Sequence, residues 1–211
     1  MAPAGVQQRR SNKRGLATRE AMLDAAVRSL ASGDPGAVSA SRIAKESGAT
    51  WGAVQYQFGD VDGFWAAVLH RTAERRATLS AFTSVEPDVP LRERVGAIID
   101  TLYHGLASQD SRAIENLRAA LPREHHELER LYPRTAAELF SWGKSWQETC
   151  QNAFAGLGVD AQRVREVAAL IPGAMRGLGS ERQLGSYADL DEARRGLTNA
   201  LATYLEQSRP T

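Results

Sequence analysis

Apolar side chains return every three or four positions along nearly the whole chain, and no sustained alternation of β-branched residues interrupts them. Leu91, Val95, Ile98, Leu102 and Leu106 advance by four, three, four and four, which gathers all five on one side of an α-helix but splits them between the faces of a strand. Val164, Val167, Ile171, Met175 and Leu178 repeat the pattern, as do Leu190, Leu197, Leu201, Tyr204 and Leu205. The spacing predicts an all-α fold of about nine helices. At 211 residues and 43% hydrophobic content, the chain can bury one substantial core, or one small and one medium core.

Breakers divide the pattern. A first helix is expected over about residues 17–32, ended by Ser32-Gly33-Asp34-Pro35-Gly36. Short helices follow at about 40–46, with Ser39 as N-cap, and 51–57, with Thr50 as N-cap, and Gly48 permits a sharp exit between them. A longer helix at about 61–81 leads to the Pro-containing stretch 83–90. Further helices are expected from Leu91, over 111–121, from near Pro133, and over 160–179 and 189–207. Residues 1–16 read as a basic flexible arm, 17–62 as a helix-turn-helix head and 63–211 as a helical body.

Charge is uneven along the chain. Residues 1–60 hold eight Lys and Arg against five Asp and Glu, and the remainder holds eighteen against twenty, although the net charge is only +1. A polyanion partner is therefore expected for the front of the chain alone, because neutralising phosphates needs local positive charge. Cys150 is the only cysteine, which rules out an intramolecular disulfide and suits a reducing cytoplasm. No uncharged apolar run approaches the roughly 20 residues of a membrane span.

The segment 39–58, SASRIAKESGATWGAVQYQF, points to a function. Two helices this short are not stable alone. Their joint use is to lay the second helix in a DNA major groove, about 12 Å wide, while the first crosses the backbone. With Ile43, Ala44 and Val54 inward, Thr50, Trp51, Ala53, Gln55, Tyr56 and Gln57 are left to face a duplex. Gln pairs with adenine edges, and aromatic or methyl groups meet thymine methyls. Ser39, Ser41, Thr50, Tyr56 and Arg42 suit phosphates, and Lys13 and Arg14 supply charge from the arm.

The elements Ala25-Ala26, Ile43-Ala44, Gly48 to Phe58 and Phe64 resemble the N-terminal signature of the TetR family of bacterial transcription regulators, over about residues 18–70. The resemblance implies a homodimer reading a palindromic double-stranded operator, with a variable C-terminal body that binds a small-molecule effector and dimerises through its last two long helices. On that analogy Tyr103, Asn116, Trp142, Trp146, Cys150 and Met175 are expected to line an effector cavity for a small apolar or aromatic molecule. Val164, Val167, Ile171, Leu197, Leu201 and Tyr204 are expected at the dimer interface. Two positions depart from the family: Gln55 stands where a backbone-contacting tyrosine is common, and Val61 where a lysine is common. Lys13 and Arg14 are expected to compensate for the weaker phosphate contact. The reading is thus a ligand-released repressor; the alternative is a helical small-molecule binding protein with reduced DNA affinity.

Other motifs carry less. Adjacent His125 and His126 diverge by about 100° on a helix and no His recurs four residues on, so no metal site is expected. Gly156-Leu157-Gly158-Val159-Asp160-Ala161 has dinucleotide-motif spacing but follows a helix, where its glycines read as a stop. No nucleophile elbow occurs, and Cys150 sits in an apolar stripe, so neither catalytic residues nor a cofactor is expected.

Overall fold

The computed structural model describes residues 4–78, 89–185 and 189–207. Among them are ten α-helices and no strand. They are α1 (Ala4–Ala31), α2 (Ala40–Glu46), α3 (Trp51–Phe58), α4 (Val61–Thr78), α5 (Leu91–Gly105), α6 (Gln109–Ala120), α7 (His125–Leu131), α8 (Pro133–Ala153), α9 (Ala161–Leu184) and α10 (Leu190–Glu206).

Three differences from expectation have physical causes. The backbone is helical from Ala4, so α1 continues through the segment read as an arm. The added helix is α7, which buries none of its residues and so leaves no apolar stripe to detect. The expected domain boundary at 62/63 also moves. One compact unit joins Met1–Arg76 to Gln109–Phe140, and the other joins Ala77–Ser108 to Ser141–Thr211. The first unit recruits α6 because α1 packs against it. Met22, Val27 and Leu30 of α1 are fully or almost fully buried, as are Ala113, Ile114 and Leu117 of α6. Asn116 also donates from α6 to the Leu30 carbonyl, 2.7 Å away, in the last turn of α1, where helix carbonyls lack intrahelical partners.

The second unit has its own core, built from Leu91, Val95, Ile98 and Ile99 of α5, Cys150 of α8, Val164, Val167, Ile171 and Met175 of α9, and Leu201 and Leu205 of α10. Arg94 of α5, itself buried, donates to the Ala153 carbonyl at the end of α8, 3.1 Å away.

Pro172 lies inside α9. A proline has no N–H, so the carbonyl four residues earlier, that of Ala168, loses its helix partner. The Trp146 indole supplies one: its Nε1 donates to Ala168 O at 2.7 Å. Trp146→Phe is therefore expected to cost about 1–3 kcal/mol by stranding that carbonyl. In a Pro172→Ala background the helix can make its own bond, and the cost of Trp146→Phe should fall by about 1 kcal/mol or more, read from urea unfolding of the four proteins. Strictly additive effects would contradict the pairing.

Candidate nucleic-acid interface

α2 is closed at both ends, and α3 at its start, by neighbours in sequence. The Ser39 hydroxyl accepts the Arg42 amide at 3.3 Å and starts α2, and the Ser47 hydroxyl donates to Ala44 O at 2.7 Å and ends it. Gly48 follows at φ +73°, a left-handed conformation that costs glycine little. Its amide donates to Lys45 O at 3.1 Å, and the Ala49 amide donates to Ala44 O at 2.8 Å. The Thr50 hydroxyl then accepts the Ala53 amide at 3.3 Å and opens α3.

Val54 and Phe58, four residues apart, are both buried and anchor α3 by one side. Trp51, Gly52, Gln55 and Tyr56 are exposed on the other, with Tyr56 at 86%. Ala53 is half-buried. Gln57 is half-buried too, and its amide donates to the Gly15 carbonyl of α1 at 3.2 Å, so it serves the scaffold as the structure stands. An eight-residue helix is about 12 Å long, and its exposed side carries an aromatic pair and an amide, the groups that read base edges.

The expected phosphate contacts stand differently. Ser39 and Thr50 are occupied as caps, and Ser41 is exposed. Arg42 is exposed, but its guanidinium bonds Glu46 at 2.9 Å and Asp34 at 2.6 Å, so its charge is already matched by two carboxylates. Hydrogen bonds to Glu46 and then Asp34 make Arg42 harder to deprotonate. The Gly36 amide, followed by Arg42, holds the Asp34 carboxyl below its usual value. The side chains of Lys13 and Arg14 lie outside the described residues.

The turn after α3 holds residues that the sequence pattern did not flag. Arg134, in the first turn of α8, donates through Nη1 to Phe58 O at 3.2 Å, through Nε to Asp62 Oδ2 at 3.3 Å, and through Nη2 to Asp60. Asp62 also accepts the Arg134 amide at 2.9 Å, the Thr135 amide at 2.9 Å and the Thr135 hydroxyl at 2.8 Å. It therefore caps the start of α8 from another helix. Burial pushes the Asp62 carboxyl up, but the Thr135 and Arg134 amides, the Thr135 hydroxyl and the Arg134 side chain together hold it below 3.8. In sequence, the only trace is an acid-and-glycine corner, Gly59-Asp60-Val61-Asp62-Gly63, and a Pro133-Arg134-Thr135 helix start.

Of the residues expected around an effector, Cys150, Met175 and Trp146 share the second unit's core and several are engaged in hydrogen bonds. Asn116 is spent on the α1 carbonyl and Trp146 on Ala168 O. Met175 and Cys150 are packed in the second core, and burial pushes the Cys150 thiol up to about 12, so no thiolate forms at neutral pH. Tyr103 is half-buried, with the Arg182 and Arg194 guanidiniums 5.4 and 5.3 Å from its ring centre. Trp142 is half-buried. A hollow of about 230 Å³ between α5 and α10 is lined by Gly96, Asp100 and Arg194 among others, and one of about 270 Å³ lies at Phe154, Gly158 and Val164; neither includes any of the six.

Of the residues expected at a dimer interface, Val164, Val167, Ile171 and Leu201 are buried in the core of the second unit because they form the inner stripes of α9 and α10, and Leu197 is half-buried against it. Tyr204 is partly exposed, but its hydroxyl bonds Glu166 and its ring lies under Arg163. No three His, Cys, Asp or Glu residues among those described are grouped to hold a metal, and no described helix is long and apolar enough to cross a membrane.

Loss of the Asp62 cap has a pH signature. A carboxylate whose folded pKa is depressed stabilises the fold above its unfolded pKa, and that contribution disappears as pH falls through the lower folded value. Asp62→Asn should therefore cost about 2–3 kcal/mol at pH 7 by urea unfolding, and its gap to wild type should narrow below pH 3.8.

Neither a protein-family model nor a curated protein matches this chain. Solved structures match its fold. A transcriptional regulator from Rhodococcus sp. Rha1 superposes with a TM-score of 0.64 at 19% identity, over 90% of this chain and 96% of that one. The multidrug binding protein EbrR, solved in complex with imidazole, gives 0.56 at 20% identity over 86% and 93%. A TetR-family regulator from Streptomyces coelicolor A3 gives 0.51 at 17% identity over 90% and 94%. The chain shares the all-helical fold of these proteins.

Proposed function

We propose that this chain is a TetR-type transcription regulator that binds operator DNA through α3, acts as a homodimer and is released from DNA by a small apolar or aromatic effector. The observation that carries the DNA-reading part is the exposed Trp51, Gln55 and Tyr56 face of a two-turn helix whose opposite side is anchored by Val54 and Phe58. Such a helix fits the width of the major groove, and its side chains carry the chemistry that meets base edges. The shared fold with three regulators or ligand-binding proteins supports the same reading, and the imidazole complex of EbrR favours small-molecule control. The engagement of Arg42 by Asp34 and Glu46 favours the alternative, a ligand-binding protein with reduced DNA affinity.

Duplexes selected from a random pool should be two-fold symmetric, because an isologous dimer reads palindromes. Tyr56→Ala and Gln55→Ala should each weaken binding to a selected duplex by about 10- to 100-fold. A pool from which nothing is enriched, even in dilute buffer, would favour the alternative.

The dimer contact is best sought on the outward sides of α9 and α10. Leu170 and Leu184 are 55% and 81% exposed on α9, and Gly173 and Gly177 lie between them; Ala193, Gly196 and Ala200 are exposed on α10. Small residues let helices approach closely, and exposed leucines gain by being covered. Leu170→Glu is expected to yield a monomer in sedimentation and to abolish the two-fold preference. A variant that sediments like wild type would place the interface elsewhere.

A further inference from the structure

We propose that Arg134 is a positioning residue for the reading helix: it sets the pitch of α3 by holding its last carbonyl, and so contributes to operator specificity without touching DNA. The proposal rests on the DNA-reading role of α3 proposed above.

A two-turn helix leaves most of its terminal carbonyls without helical partners, and its direction is set by whatever they bond. Phe58 is the last residue of α3, and its carbonyl is taken by Arg134. The same planar guanidinium bonds Asp60 in the turn and Asp62 in the first turn of α4. One backbone carbonyl and two side-chain carboxylates along residues 58–62 are thus tied to one rigid group that cannot rotate without losing its other bonds. That group is itself fixed, since the Arg134 and Thr135 amides are pinned by Asp62.

The corner is built around this insertion. A Cβ at Gly63 would collide with both Phe58 O and the guanidinium, and one at Gly59 would lie 3.5 Å from Arg134 Nη1 in a backbone already at φ +85°. The Phe58 ring is held as well, by Phe64 at 4.9 Å and by the Arg19 guanidinium at 4.6 Å. Side chain and carbonyl of one residue are therefore both clamped.

Charge argues against a phosphate role for Arg134. It sits between two carboxylates, Asp60 and Asp62, which leaves the cluster with a net charge of −1. Such a cluster repels a phosphate. Its effect on DNA has to pass through the angle of α3. Base-edge hydrogen bonds depend on that angle, whereas the sequence-independent phosphate attraction hardly does.

The test compares wild type, Arg134→Met and Arg134→Lys in binding to a duplex selected by the wild type and to an unselected duplex of equal length, each over a range of salt. Lysine keeps the charge but not the fork. Both variants should lose about tenfold or more on the selected duplex, with unchanged affinity for the unselected one and an unchanged salt slope. A salt slope reduced by about one, with equal losses on both duplexes, would make Arg134 a phosphate contact and overturn the proposal. Unchanged discrimination would overturn it too, while leaving the DNA-reading role intact. If the wild type enriches no duplex, the DNA-reading role fails first and this proposal falls with it. Should Arg134→Met not fold, Asp60→Ala removes one of its acceptors at an exposed position, and a loss of discrimination in the same direction is expected.

Discussion

Two helical turns cannot hold their own shape in water, because nucleation costs more than so few hydrogen bonds return. Everything α3 does therefore depends on what grips it. Thr50 closes one end, Val54 and Phe58 bury one side, Gln57 is tied to α1, and the far end is held through the Phe58 carbonyl. The polar and aromatic side is left outward as the remainder of that arrangement. Removing any single tie leaves the others.

The second unit repeats the theme of local defects repaired from a distance. Pro172 deprives α9 of a hydrogen bond and Trp146 restores it from another helix. Arg94 does the same for the end of α8 at Ala153. These repairs consume polar groups that would otherwise be free to meet a ligand. An aromatic stripe on a helix therefore reports the packing of its neighbours as readily as a binding wall.

The helices and the short helix pair were legible in the sequence because both rest on local rules: apolar spacing for the stripes, Ser39 and Thr50 as caps, and Gly48 for the turn. The outward placement of Trp51, Gln55 and Tyr56 followed from the same period. What escaped depends on residues far apart in the chain. Arg134 and Asp62 meet only after folding, and neither sits in an apolar pattern. The polar helix α7 buries nothing, so periodicity could not reveal it. An inward stripe and a dimer stripe look identical in one sequence, and Val164, Val167 and Ile171, expected at an interface, lie in the second unit's core.

The outward side of α3 is proposed as the surface that meets DNA. Hydrogen–deuterium exchange of the protein with and without a duplex it has selected tests this most directly. Protection concentrated over residues 50–58 is the predicted result. A duplex that binds while exchange there is unchanged, with protection appearing on other helices, would contradict it.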